Sequence, residues 1–178
     1  GDLITIVGPM PAPAGPYTIG GSVSGLTGAG LVLQNNGADN LAVNTPRRAA
    51  VAAASQGLGY AVAAALVAEG VHVAICGRRR EAVEDAATRL GAGTVAIVVD
   101  VSEPKGATAF TREAHAALGA IDILVPNAGG PRAGGTADVS IDDYAVAFDL
   151  NCRSAIAMCS DVLPAMREQR WGRILAIT

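Results

Sequence analysis

The sequence predicts an α/β fold in which a doubly wound parallel sheet of five strands occupies residues 46–178, after a small β-rich segment. From Thr45 onward, short apolar runs alternate with helical patterns. Hydrophobic residues make up 51% of the chain and aromatic residues only 3%, so the core consists of Ala, Val, Ile and Leu, as is typical of a parallel sheet covered by helices. The pattern of residues 48–80 predicts a strand, a glycine turn, a helix and a second strand, which together form a right-handed βαβ unit.

The elements follow one another with short connections. Strands are predicted at about 49–54, 71–76, 94–99, 121–125 and 173–178, and helices at 57–69, 79–90, 103–118 and 141–168. Ser140 is a suitable N-cap for the last helix, and Pro164 predicts a kink or break within it. Strands that alternate with helices in this way predict the strand order 3-2-1-4-5.

Residues 1–45 have a different composition, and we treat them as a separate β-rich segment. A short apolar run at residues 3–7 is followed by a proline-rich spacer. Residues 17–26 alternate polar and apolar side chains, residues 31–33 form another short apolar run, and Asn35-Asn36-Gly37 is a strong turn signal. Residues 17–45 are therefore predicted to form a β-hairpin or meander. Residues 17–45 resemble one module of the repetitive β-sandwich domains of bacterial surface proteins.

Composition argues against several classes of function. The net charge of −3 gives no reason to expect nucleic acid as a partner. The sequence has neither an apolar run long enough to span a membrane nor a signal peptide, so we expect no membrane partner and a cytoplasmic location. His72 and His115 lie in different predicted elements, so we expect no metal site. We interpret Cys76, Cys152 and Cys159 as small buried hydrophobic residues.

The glycine turn after the first strand predicts a site for a diphosphate. Because Gly57 and Gly59 have no side chains, backbone N–H groups can approach a pyrophosphate closely. The N-terminus of the following helix adds a partial positive charge, which stabilises an anion by about 0.3–1 kcal/mol. The predicted cofactor-binding residues of this turn are Ser55, Gln56, Gly57, Leu58 and Gly59.

Residues 46–178 resemble the short-chain dehydrogenase/reductase family, in particular its members similar to 3-oxoacyl-acyl-carrier-protein reductase. The family's Thr-Gly-x-x-x-Gly-x-Gly stands here as Ala52-Ala53-Ala54-Ser55-Gln56-Gly57-Leu58-Gly59, with Ala53 in place of the first glycine. We expect Ala53 to be compatible with the turn if its φ stays negative. The resemblance implies a Rossmann-like fold, a nicotinamide dinucleotide as cofactor and oxidoreductase ancestry.

Further motifs carry the same resemblance. Asp100-Val101 matches the family's adenine-contacting pair, and Pro126-Asn127-Ala128-Gly129 matches Asn-Asn-Ala-Gly, with proline in place of the first asparagine. Asn151 matches the family's helix asparagine, which holds a water beside the catalytic lysine, and is the candidate catalytic residue. The cofactor-binding residues that the resemblance implies here are Asp100, Val101, Asn127, Ala128 and Gly129.

The charges after the second strand favour NADP(H) over NAD(H). NAD enzymes place a carboxylate there to bind the ribose 2′-hydroxyl, but here Gly77 is followed by arginines, with no acid before Glu81. Arg78 and Arg79 can bind a 2′-phosphate through charge-assisted hydrogen bonds of roughly 1.5–3 kcal/mol. The alternative interpretation is a solvated helix start, which the helix dipole makes a poor place for cations.

The family's proton-transfer residues, a serine followed by Tyr-x-x-x-Lys, are not found. Lys105 is the only lysine, and the residue four positions before it is Val101. A nearby lysine gives such a tyrosine the lowered pKa that it needs to protonate a carbonyl at neutral pH. We therefore expect a truncated oxidoreductase that binds NADP(H) and has weak or absent carbonyl reduction. The alternative is a fusion or library-derived protein that uses the dinucleotide-binding half as a scaffold for hydrolysis or binding.

The helix at 141–168 predicts a homo-oligomer. With no further elements to cover it, the helix would expose a set of apolar side chains, and the fifth strand would be an open edge. We expect a dimer through this helix or through the N-terminal strands. The apolar positions in question are Phe148, Cys152, Ile156, Cys159 and Leu163.

Overall fold

The computed structural model describes residues 3–6, 32–35, 39–40, 47–130, 134 and 138–177. Its first three strands are β1 (Leu3–Ile6), β2 (Val32–Asn35) and β3 (Asp39–Asn40). β1 pairs with β2 in parallel, and β2 pairs with β3 in antiparallel register with Asn35 opposite Asp39. The antiparallel pairing of β2 with β3 agrees with the hairpin or meander predicted for residues 17–45, whereas the parallel pairing of β1 with β2 was not predicted. The predicted alternation at 17–26, the turn residues 36–37 and the run at 41–43 lie outside the described residues.

A second sheet contains five parallel strands: β4 (Arg48–Val51), β5 (His72–Gly77), β6 (Thr94–Val98), β7 (Ile123–Val125) and β8 (Arg173–Ile174). Their spatial order is β6-β5-β4-β7-β8, which confirms the predicted order 3-2-1-4-5 and the Rossmann-like α/β class. β4 ends three residues earlier than predicted, because Ala53 adopts a φ of +47° and takes the chain out of the strand.

The connecting helices are α1 (Gly57–Ala68), α2 (Arg80–Leu90), α3 (Pro104–Leu118), α4 (Ile141–Phe148) and α5 (Ser154–Glu168). A π-helical turn, Asp149–Arg153, joins α4 to α5. Of the kink or break predicted at Pro164, the break is wrong, because α5 continues through this residue, and the kink stays a prediction. Pro164 is exposed, so solvent can bond the carbonyl that its missing N–H leaves free. The helix predicted at 141–168 is interrupted at the π-helical turn instead.

The sheet separates two hydrophobic layers. Val51 and Ile75 face the layer of α1 and α2, whereas Ala50, Ala74 and Cys76 face the layer of α3 and α5. These side chains are fully buried. Because both faces are covered, the strands are apolar throughout rather than alternating, as the composition predicts.

A buried carboxylate joins the amino ends of β4, β7 and β8. Asp122 is 1% exposed and accepts hydrogen bonds from the backbone N of Arg48 (2.9 Å), from its Nε (2.9 Å) and Nη2 (3.2 Å), and from Nε2 of Gln169 (3.1 Å). The guanidinium groups of Arg47 and Arg173 both contact the Trp171 ring, at 3.9 Å and 5.0 Å from its centroid. This network fixes the start of β4 relative to the segment before β8.

Replacing Asp122 with alanine is expected to lower the free energy of unfolding by about 2–3 kcal/mol, because it removes the acceptor of several hydrogen bonds and leaves Arg48 unpaired. Partial exposure of the Arg48 side chain, 32%, keeps the effect below that of a fully buried pair. Urea denaturation measures it. Asp85→Ala is the control: it breaks an exposed pair with Arg89 and should cost less than about 0.5 kcal/mol. Equal losses from both substitutions would contradict this account.

Candidate functional site

The predicted site residues follow neighbouring strands at the carboxyl edge of the sheet. Residues 52–59 follow β4, Arg78 and Arg79 follow β5, Asp100 and Val101 follow β6, and residues 127–129 follow β7. The strand order reverses at β4, which lies between β5 and β7. In doubly wound sheets, ligands bind in the crevice at this reversal.

The turn after β4 is held by a side chain from the far side of the crevice. Nδ2 of Asn127 donates to the carbonyl oxygens of Ala52 and Ala53, each at 3.2 Å. The condition under which Ala53 was expected to suit the turn, a negative φ, is not met, because its φ is +47°. Ala53 thus adopts the left-handed conformation that favours glycine, at a cost of about 1–2 kcal/mol.

The two glycines of the turn have different structural roles. Gly57 has a φ of +64° and is exposed, and a Cβ there would meet no atom within 4 Å. Gly59 is buried, and a Cβ there would lie 2.7 Å from Nδ2 of Asn127 and 2.9 Å from the carbonyl oxygen of Ala53. Gly57 therefore leaves the backbone open to a ligand, whereas Gly59 lets α1 pack directly against the turn.

The N-terminus of α1 suits an anion. Gln56 is its N-cap, yet the Gln56 side chain makes no capping hydrogen bond, and the first turn contains no acidic residue. Gln56, Gly57 and Leu58 are exposed. The N–H groups of the first turn and the positive end of the helix dipole are therefore available to a phosphate.

A cleft of about 440 Å³ brings Arg78 and Arg79 together with Ser55 and Gln56. Within the described part of the chain, neither of these arginines forms an ion pair, whereas Nη1 of Arg80 bonds Oε1 of Glu84 at 3.0 Å. The cleft thus combines two unpaired cations with the start of α1.

The other predicted residues lie around this crevice in different states of burial. Oδ1 of Asp100 accepts from the backbone N of Ser102 at 2.9 Å, and its side chain is exposed. Val101 is 6% exposed and belongs to the core between the sheet and α3. Ala128 is half-buried and Gly129 is exposed. Contact of these residues with a cofactor stays a prediction.

Asn151 lies in the π turn between α4 and α5. It is exposed, and its Nδ2 donates to the carbonyl oxygen of Ala147 at 2.9 Å, which leaves its Oδ1 for a ligand. π-helical turns are frequent at functional sites, but the sequence pattern predicted an uninterrupted helix here. The catalytic role of Asn151 stays a prediction.

The cysteines differ in burial. Cys76 is fully buried, and burial raises the pKa of its thiol to about 12, so it is neutral at physiological pH. Its Sγ accepts a hydrogen bond from the backbone N of Ala53 at 3.4 Å. The expectation of burial is confirmed for Cys76 but not for Cys152 and Cys159, which are half-buried; Cys159 packs against the core layer of α3 and α5.

Among the residues that the structure describes, no three His, Cys, Asp or Glu side chains are placed to hold a metal ion. No helix among those residues has the length and apolar character needed to cross a membrane.

Comparison with known proteins agrees with this geometry. Residues 47–178 match the model of the short chain dehydrogenase family. A glycine betaine reductase of Emericella nidulans is 35% identical over 133 residues, which are 73% of this chain and 10% of that protein. An uncharacterized oxidoreductase of Staphylococcus aureus USA300 is 28% identical over 138 residues, which are 77% of this chain and 60% of that protein. The chain thus spans a tenth to three-fifths of these relatives.

Solved structures give the same result. A short-chain dehydrogenase from Streptomyces avermitilis matches 76% of this chain and 50% of its own, with 29% identity and a TM-score of 0.70. L-sorbose reductase from Gluconobacter frateurii, in a complex with NADPH and L-sorbose, matches 74% of this chain and 52% of its own, with 26% identity and a TM-score of 0.69. These relatives are oxidoreductases, which favours the dehydrogenase hypothesis over the scaffold hypothesis. This chain therefore belongs to the short-chain dehydrogenase/reductase family, whose members bind nicotinamide cofactors.

Proposed function

We propose that residues 47–178 bind NADP(H). In this proposal the pyrophosphate lies on the backbone N–H groups at the start of α1, and the 2′-phosphate lies on Arg78 and Arg79. The observation that carries the proposal is that Ser55, Gln56, Arg78 and Arg79 line the same cleft. The open backbone at Gly57 fits a diphosphate, because no side chain fills the space in front of it.

Charge supports NADP(H) rather than NAD(H). A carboxylate at the end of β5 would bind a 2′-hydroxyl, but Arg78 stands there. The two guanidinium groups line one cleft, have no ion pair with any residue that the structure describes, and match the oxygens of a phosphate with their donors. The NADPH in the L-sorbose reductase complex gives this proposal a precedent in a relative at 26% identity.

The residues around the crevice would hold the rest of the cofactor. Asp100 and Val101 would contact the adenine, and residues 127–129 would line the nicotinamide side. When bound, the nicotinamide supplies or accepts a hydride. Asn151 would hold a water near the reacting atoms through its free Oδ1.

Residues 47–178 do not contain the Tyr-x-x-x-Lys pair whose tyrosine donates the proton to a carbonyl in this family. Tyr60 lies under the guanidinium of Arg89, 4.6 Å from ring centroid to Cζ, and Tyr144 is half-exposed on α4. Neither tyrosine has a lysine four positions later, and Lys105 is the only lysine. We therefore propose that these residues by themselves bind the dinucleotide but reduce carbonyls weakly or not at all.

We also propose a homo-oligomer through the α4–α5 apolar face, defined by exposed side chains along both helices. Phe148 and Ile156 are exposed as predicted, whereas Cys152, Cys159 and Leu163 are half-buried. Large apolar side chains that are exposed next to one another are typical of an interaction surface. The face is formed by Ile141 (81% exposed), Ile156 (58%), Phe148 (57%) and Tyr144 (50%), whereas Val146 (62%) lies on the opposite side of α4.

Replacing Arg78 and Arg79 with alanine is expected to weaken NADPH binding by about tenfold to a hundredfold, because charge-assisted bonds to the 2′-phosphate are lost. NADH binding should change by less than about twofold, because NADH has no such phosphate. Titration followed by nucleotide fluorescence measures both affinities.

Arg80→Ala is the matched control for this experiment. Arg80 is the neighbouring cation, but its guanidinium is already bonded to Glu84, so NADPH affinity should stay within about twofold. Equal affinities of the unmodified chain for NADPH and NADH would refute the NADP(H) proposal.

Phe148→Glu is expected to convert the oligomer to a monomer, because it places a charge in the centre of the α4–α5 apolar face. Light scattering coupled to size exclusion measures the mass. Leu58→Glu, at a residue that is 63% exposed on α1, is the control and should leave the oligomer intact. A monomer mass for the unmodified chain would rule out this assembly.

A further inference from the structure

The left-handed conformation of Ala53 needs contacts that hold it, because an alanine favours a negative φ. Residue 76 supplies two of these contacts. Its Sγ accepts from the backbone N of Ala53 at 3.4 Å, and its carbonyl oxygen accepts from the backbone N of Ala54 at 3.0 Å. The N–H groups of Ala53 and Ala54 are therefore both bonded to Cys76 of β5, whereas the N–H of Ala52, the first after β4, is bonded to the carbonyl oxygen of Val125.

The carbonyl of Ala53 transmits this conformation to the helix. Gly59, in the first turn of α1, lies so close that a Cβ there would be 2.9 Å from that carbonyl oxygen and 3.0 Å from the Cα of Ala54. If Ala53 returned to a negative φ, its carbonyl would point elsewhere. The hydrogen bond from Asn127 to this carbonyl and the close packing of Gly59 against it would then both be lost.

We propose that Cys76 is a positioning residue for the dinucleotide site: its Sγ holds Ala53 in the left-handed conformation on which the first turn of α1 rests. The inference builds on the proposed binding of NADP(H) at that turn. The thiol is fully buried in the layer of α3 and α5, so it acts through Ala53 and does not touch the ligand.

The expected consequence is a change in the fraction of molecules with a binding-competent turn. Without the sulfur, the Ala53 N–H loses its acceptor, and fewer molecules keep Ala53 in the left-handed conformation. The apparent affinity for NADPH then falls in proportion to the fraction of molecules that keep it. A glycine at residue 53 adopts the left-handed conformation freely, so it makes the turn independent of the sulfur.

The test measures NADPH affinity and the amide exchange rate of Ala53 for a set of variants. Cys76→Ala should weaken binding by about tenfold and speed exchange of the Ala53 amide by about tenfold or more. Cys76→Ser keeps an acceptor and should stay within about twofold in both measurements. In the Ala53→Gly background, Cys76→Ala should change affinity by less than about twofold.

Two further variants control for the loss of any thiol and for a failure of Cys76→Ala to fold. Cys159→Ala removes a half-buried thiol elsewhere and should leave affinity unchanged. If Cys76→Ala does not fold, Cys76→Val takes its place, because it fills the space and also lacks an acceptor.

The two proposals fail in different ways. An unmodified chain that does not bind NADPH refutes the proposed function, and amide exchange, measured without ligand, then decides the role of Cys76. Unchanged exchange at Ala53 in Cys76→Ala, or an equal loss of affinity in the Ala53→Gly background, would overturn the positioning role.

Discussion

The turn from β4 into α1 is the constraint on which the site depends. β4 is the central strand of the sheet, and hydrophobic layers cover both of its faces. The turn that follows it is therefore largely buried, so its backbone N–H and carbonyl groups need hydrogen-bond partners. Nδ2 of Asn127 and residue Cys76 bond the carbonyls and N–H groups of this turn from the strands on either side. Because that framework is fixed, Gly59 can pack against it and α1 presents its first N–H groups to the crevice.

The two edges of the sheet use arginine in opposite ways. At the amino edge, Arg48 is bonded to the buried carboxylate of Asp122, and its charge is neutralised within the fold. At the carboxyl edge, Arg78 and Arg79 line a cleft without an ion-pair partner in the described ranges, while Arg80 bonds Glu84 on the outside of α2. Paired arginines stabilise structure, and the unpaired ones remain available for a phosphate.

The strand order, the helices and the place of the glycine turn could be predicted because local patterns determine them: apolar runs, helical periodicity and glycine spacing. The φ of Ala53 could not, because its holding contacts come from Cys76 and Asn127, which are distant in the sequence. The Asp122 network was missed for the same reason, since it joins the starts of separate strands. The π turn carries no sequence signal that the periodicity could separate from an ordinary helix.

Amide chemical shifts of the isotope-labelled chain, recorded during titration with NADP⁺, test most directly whether a dinucleotide lies on bare backbone at the start of α1. Saturable shifts are predicted for Gly57, Leu58 and Gly59, with a shared binding curve at Arg78 and Arg79. An absence of saturable shifts, or shifts confined to residues outside this crevice, would contradict the account.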